Sequence, residues 1–335
     1  MRSKRVTMDD VARRLSLSKC TVSKILSRSF DGFTYAPATI RRVEKMARHI
    51  GYQPNVHARA LRTSRSHLIG LALPTGSLPF FGVLTECLEA ELRAAGYQVL
   101  VAHSRNDPRT EREIIRSLVA RGVDGLLWMP VRTRFEARVL GLDPHFPVVL
   151  LDRPFISTRL PLVATDNHAA TQKLACRLMA LGHSSVAAFN APRADRSMVE
   201  REEGLRSVLG RGLFVLNMDN DSTAARKAVG KIVTSHRPFT ALVTLSEPLS
   251  IGALAGLRDA GWGIPERISL AAFDDFPLAA QWTPPITAVR QDLPRIAAAA
   301  TALLLARLRH PASLPPSVRI PALLEWRESV TRPQS

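Results

Sequence analysis

From residue 68 to its end the chain alternates short apolar runs with longer amphipathic stretches. Residues 68–73, 98–102, 125–129, 148–151, 162–164, 185–189, 213–216, 241–245 and 268–273 read as strands. Between many of them, 83–95, 111–120, 171–181, 198–209, 224–235 and 250–260 carry a helical apolar period. Strands separated by helices predict parallel sheets with covering helices. The strands are too many for one comfortable sheet, and 335 residues exceed one ordinary core, so two α/β subdomains are expected here. In such folds ligands sit beyond the carboxyl ends of strands.

The first 51 residues follow another rule. Thr7-Met8-Asp9-Asp10 opens a helix: Thr7 can cap it, and Asp10 faces the free N–H groups of the first turn. Val11, Ala12 and Leu15 give it one apolar face, and Ser16-Leu17 makes a turn. Ser18 caps a second helix over 19–27, with Val22, Ile25 and Leu26 facing inward and Lys19, Cys20, Thr21, Ser23 and Lys24 facing outward. A third helix begins at Pro37 and stops at Gly51, burying Ile40, Val43, Ala47 and Ile50. Two helices joined by a tight turn, with small and basic residues leading the second, match a reader of the DNA major groove. A three-helix domain with no such role fits the periodicity equally.

Charge is compatible with the first reading and equally with a solvated basic arm. Residues 1–67 hold 15 Lys/Arg against 4 Asp/Glu, and the remaining residues hold 31 against 25. Most of the net charge of +17 therefore sits in about one-fifth of the chain, which suits a polyanion partner. Cys20, Cys87 and Cys176 have neither disulfide nor metal spacing, so reduced thiols are expected. The opening Met1-Arg2-Ser3-Lys4-Arg5 leads into no apolar stretch, and the Ala-rich run 296–308 is too short to span a bilayer. A cytoplasmic protein without membrane, metal or cofactor is the expectation.

The residues 6–12, 18–26, 39–43 and 51–55 resemble the head of lactose-repressor-type (LacI/GalR family) transcription regulators. The likeness continues through Pro79-Phe80-Phe81-Gly82, Arg121-Gly122-Val123-Asp124-Gly125, Arg201-Glu202-Glu203-Gly204, Phe273-Asp274-Asp275 and Trp326-Arg327-Glu328-Ser329. It implies a helix-turn-helix head over 1–51, a hinge helix and linker over 52–67, and a two-lobed body like a periplasmic sugar-binding protein. The lobes would be 68–164 with 293–322, and 165–292 with 323–335. The implied function is a palindrome-binding dimeric regulator, by the commoner outcome a repressor, controlled by a sugar-like effector between the lobes. No leucine heptad closes the chain, so a homodimer is expected over a tetramer.

By that resemblance Lys19, Cys20 and Lys24 read bases, while Thr7, Ser18, Thr21, Ser23, Tyr52 and Asn55 contact phosphate or position the helices. The segment after Asn55 is too short to be a stable helix alone and is expected to order on DNA. Leu61, with Ala58 on the same face, matches the family's minor-groove wedge; without the family it is an ordinary linker residue. Three departures stand out: Ser16 replaces the usual turn glycine, Cys20 is an unusual base reader, and Phe30-Asp31-Gly32-Phe33 is the expected insertion. Cys20 reads better as a packed small residue than as a redox switch.

An effector cleft asks for a few convergent polar groups among apolar ones. Arg201 offers a fork of donors to hydroxyls, carboxylates or phosphates; its alternative is a surface ion pair with Glu200 or Glu203. Asp274 follows a strand end and can accept from hydroxyls. Asp152 and Gln291 match family pocket positions, and Phe80 can underlie a ring. Ser246-Glu247 stands where the family has Asn-Asp, and Ser246 reaches less far than an amide, so a larger or water-held effector is expected.

Two other functions compete. The chain has no nucleophile elbow, P-loop, dinucleotide glycine fingerprint or His-Glu-x-x-His, and adjacent Asp274 and Asp275 should point apart, so no enzyme is expected. A periplasmic binding protein without a regulatory role fits the body, but not the basic head.

Overall fold

A computed structural model describes residues 6–27, 34–52, 65–131, 142–155, 158–192 and 196–333. The chain forms two compact units, 1–66 and 67–335.

In the first unit, α1 (Met8–Leu15), α2 (Lys19–Ser27) and α3 (Pro37–His49) enclose a small core of Val11, Ala12, Val22, Ile25, Val43 and Ala47. The Asp10 carboxylate holds the start of α1, accepting from the Thr7 N–H at 2.9 Å and the Thr7 hydroxyl at 2.7 Å. Ser16 ends α1 in the left-handed region, φ 52°, and the Leu17 N–H returns to the Ala12 carbonyl at 3.0 Å. Ile40 and Ile50 are only partly buried against this core, as are Leu26 and Tyr52.

The second unit contains two six-stranded sheets. The first has the order β11-β5-β4-β3-β1-β2, from β1 (Leu68–Leu73), β2 (Gln98–His103), β3 (Gly125–Trp128), β4 (Val148–Leu151), β5 (Leu162–Thr165) and β11 (Val318–Ile320), all parallel. The second has the order β12-β10-β9-β8-β6-β7, from β6 (Val186–Asn190), β7 (Leu213–Asn217), β8 (Ala241–Thr244), β9 (Ser269–Phe273), β10 (Thr287–Arg290) and β12 (Leu323–Glu325). Only β12 runs antiparallel, against β10.

The inner strands are apolar on both faces because both faces are covered. In β4, Val149 and Leu151 pack toward α4 (Pro79–Ala94) and α10 (Leu293–Arg309), while Val148 and Leu150 face α5 (Pro108–Ala120). In β9, Leu270 and Ala272 meet α8 (Ser222–Val233) and α9 (Glu247–Asp259), while Ala271 and Phe273 meet α6 (Asn167–Ala180) and α7 (Arg196–Leu209). The two-residue period of a strand splits each run between two cores.

The chain passes between the sheets three times: from β5 into α6, from β10 into α10, and from β11 into β12. Helices α6 and α7 pack closely at Gly204, where a Cβ would overlap the Thr171 hydroxyl and the His168 carbonyl. Among the described residues no helix is long and apolar enough to cross a membrane.

Candidate functional site

On the head, Lys19 and Cys20 are exposed at the start of α2, and Thr21, Ser23 and Lys24 are half-buried. Cys20 therefore does not pack, against the expectation: the apolar side of α2 is filled by Val22 and Ile25, and position 20 falls on the opposite face. The Ser18 hydroxyl caps α2, accepting from the Thr21 N–H at 3.0 Å and meeting the Thr21 hydroxyl at 2.8 Å. Lys19 Nζ lies 2.9 Å from the Asp9 carboxylate. Thr7 is exposed at the mouth of α1, and the Tyr52 N–H closes α3 by donating to the Ala47 carbonyl at 2.8 Å. Asn55, Ala58, Leu61 and the segment 30–33 lie outside the described residues.

In the second unit, Phe80, Asp152, Arg201, Ser246, Asp274 and Gln291 all line one cavity of about 60 Å³. It shares Phe80, Glu247, Asp274 and Gln291 with a more apolar cavity of about 330 Å³, which Val83, Phe276 and Pro277 also line. A larger cavity of about 460 Å³ lies elsewhere, beyond the end of α8, and holds none of the six. Convergent polar groups make the smaller, continuous pair the chemically equipped site.

The fold aims these side chains by letting strands end abruptly. Asp152 and Asp274 each extend a ladder by one N–H, to Val163 O at 2.8 Å and Val289 O at 3.0 Å. Each then turns left-handed, at φ 59° and 76°. That conformation costs a non-glycine residue of order 1–3 kcal/mol and tends to persist at ligand sites.

Arg201 is only 4% exposed. Its Nε donates to Asn167 Oδ1 at 2.9 Å, and its Nη1 donates to the Leu245 carbonyl at 2.7 Å and lies 3.9 Å from Asp274 Oδ2. The guanidinium carbon sits 3.6 Å from the Phe273 ring centroid. The alternative ion pair with Glu200 or Glu203 is not formed. Glu200 instead pairs with Arg319 at 2.8 Å, and Glu203 with Arg196 at 3.5 Å. Gln291 joins two sheets: its Oε1 accepts from the Thr165 hydroxyl at 2.5 Å, and its Nε2 donates to Asp274 Oδ1 at 2.7 Å. The Ser246 hydroxyl is already donated to Asn220 Oδ1 at 2.6 Å.

Comparison with known proteins adds its relatives. Residues 175–330 match the model of the periplasmic binding protein-like domain. Over 305 residues the chain is 27% identical to the ribose operon repressor of Halalkalibacterium halodurans, covering 90% of each protein. It is 38% identical to the sucrose operon repressor of Klebsiella pneumoniae over 178 residues, 53% of each. The lac repressor dimer bound to operator and the anti-inducer ONPF has the same fold, with a TM-score of 0.87 at 22% identity, over 98% of this chain and 100% of that one. The chain is thus similar to operon repressors over up to nine-tenths of its length.

Within this cleft Glu247, to which the sequence assigns no role, is 5% exposed and lines both cavities. Burial and the nearby Asp274 charge push its carboxyl up to about 7. Its only sequence signal was the unusual pair Ser246-Glu247. Asn167, buried at the start of α6, is the acceptor that positions Arg201, a role the sequence does not announce. Asp275 turns away from Asp274 into a two-bond pair with Arg327, both bonds 2.7 Å. The adjacent carboxylates thus share no reaction centre.

Proposed function

We propose that this protein is an effector-controlled transcriptional repressor that binds a palindromic operator as a homodimer. One observation carries the reading: a basic helix-turn-helix head and a two-sheet body with a polar cleft occur in one chain. The relatives named above are operon repressors and not enzymes, which favours regulation over catalysis and over simple transport. Operator DNA places its work in the cytoplasm.

In this reading 1–51 is the DNA-binding head and 52–67 the hinge. The lobes are 68–164 with 293–322, and 165–292 with 323–335. Lys19, Cys20 and Lys24 meet base edges. Thr7, Ser18, Thr21, Ser23, Tyr52 and Asn55 hold phosphates or fix the helices, and Leu61 with Ala58 works in the minor groove. Phe80, Asp152, Arg201, Ser246, Asp274 and Gln291 face a small, sugar-like effector.

Selection from random duplexes, followed by affinity measurements at several salt concentrations, tests this. The selected site should be a palindrome, and log affinity should fall steeply with log salt because cationic side chains displace counterions. Lys24→Ala should relax preference at one position in each half-site, costing roughly 1–3 kcal/mol. A chain that selects no duplex, or binds independently of salt, is not a repressor of this kind.

A further inference from the structure

The cleft contains one carboxyl group that no cation of the fold pairs. Four carboxylates line its two cavities: Asp152, Glu247, Asp274 and Asp275. Three have a guanidinium nearby: Arg153 is 3.8 Å from Asp152, Arg201 is 3.9 Å from Asp274, and Arg327 is 2.7 Å from Asp275. Arg290, the remaining cation on the lining, is engaged by Glu325 at 2.8 Å. Among the described residues Glu247 has neither an ion pair nor a hydrogen bond to its carboxylate, although it is more than nine-tenths buried.

A carboxylate withdrawn from water without a partner is costly, and the usual compensation is an opposite charge. Glu247 is the first residue of α9, where the helix dipole favours its ionised form. Beside it, Phe80, Phe276 and Pro277 form an apolar wall suited to the face of a ring. Donors to anions are scarce, because the Arg201 Nε and Nη1 groups already serve Asn167 and Leu245. At Glu247 the site has acceptors but no cation paired to them.

We propose that the molecule taken by this cleft carries a protonated amine, seated at Glu247 beside Asp274, on a polyhydroxylated ring lying against Phe80: an amino sugar, not a neutral hexose. This rests on the cleft being the effector site. The amine binds already protonated. Glu247, which holds its proton up to about 7 in the empty cleft, gives that proton to solvent as the ammonium arrives.

The test is calorimetric titration of the full-length protein at pH 7 with three matched pairs: D-glucosamine and D-glucose, D-galactosamine and D-galactose, D-mannosamine and D-mannose. At least one amino sugar should bind about tenfold or more tighter than its parent, the size of effect a buried charge pair produces. In Glu247→Gln that preference should shrink to within about threefold, with the variant's melting transition intact. The N-acetylated form of the same sugar, which has no charge, should lose the advantage. The proposal is overturned if no amino sugar binds more tightly than its parent, or if the preference survives in Glu247→Gln. Operator binding measured alongside separates the two readings. Release by a neutral hexose alone removes the amine and leaves effector control standing.

Discussion

Glu247 and His183 are buried titratable side chains whose protonation follows opposite rules. Burial, helped by Asp274, lifts Glu247 from its ordinary 4.5 to about 7. Between those values the folded protein keeps a proton that the unfolded chain has released. Its contribution to stability therefore declines as pH rises from about 4.5 to about 7, then stays low. His183, held between Thr240 Oγ1 at 2.9 Å and the Thr331 carbonyl at 2.7 Å, is depressed by burial below 6.5. It acts the other way, and its contribution is lost as pH falls below that value. Glu247→Gln removes the first effect and leaves the second. The variant should melt above wild type at pH 8, with the margin shrinking toward pH 5; a margin constant across melts at pH 5, 6, 7 and 8 would show that the buried carboxylate carries no penalty. The six cleft residues named from sequence converge because most follow an apolar run directly, where a polar residue has nowhere to go but the strand's carboxyl end. Glu247 was hidden because an acidic residue at a helix start is ordinary. Asn167 was hidden because its partner lies 34 positions away in sequence.

At the scale of elements, the ends of α1 and α2 decide how the head presents its reading face. Ser16 adopts φ 52°, a conformation that costs a residue with a Cβ roughly 1–2 kcal/mol. Glycine there avoids the penalty at some cost in unfolded-state entropy, so Ser16→Gly should stabilise the head by about 0.5–1 kcal/mol. In the full chain, amide exchange at Val22 and Val43, both fully buried, should slow by the corresponding factor; unchanged or faster exchange would mean that the Ser16 side chain compensates its own strain. The nine body strands expected from sequence all occur, because strands covered on both faces are nearly continuous apolar runs. Helix starts were expected two to four residues late. The first turns are set by Pro79 and Pro108 and by the caps Asp166 and Asp221, which carry no apolar period. Strands β10, β11 and β12 were not read from sequence. β10 is broken by Thr287 and Arg290, and β11 and β12 have only three residues each, so their neighbours fix their register.

At the scale of the whole molecule, a ligand in the cleft can act at the operator only by preferring one arrangement of the body over another. The passages between sheets are where such a preference registers. Thr165, at the end of β5, donates to Gln291 beyond β10, and Gln291 donates to Asp274. Arg319 on β11 reaches both the Thr165 carbonyl at 3.4 Å and Glu200 on α7 at 2.8 Å. Arg201 joins this set at Asp274, but its fork also satisfies Asn167 and the Leu245 carbonyl. Truncation to alanine would leave those groups unpaired and cost roughly 1–3 kcal/mol for each buried one, confusing response with stability. Arg201→Lys is the cleaner change: it keeps the charge, but a single ammonium on a flexible stem cannot reproduce the planar fork. Its operator affinity without effector should stay near wild type, while the shift caused by effector should be lost. In wild type, linkage requires the factor by which effector changes operator affinity to equal the factor by which operator changes effector affinity. Titrating each ligand in the presence and absence of the other measures both factors, and in Arg201→Lys both should fall toward one together. A variant that binds effector normally yet fails to respond would place Arg201 in the coupling and not in the site. Full retention of both factors would remove it from the mechanism and leave Asp274 and Gln291 as the groups through which the cleft communicates.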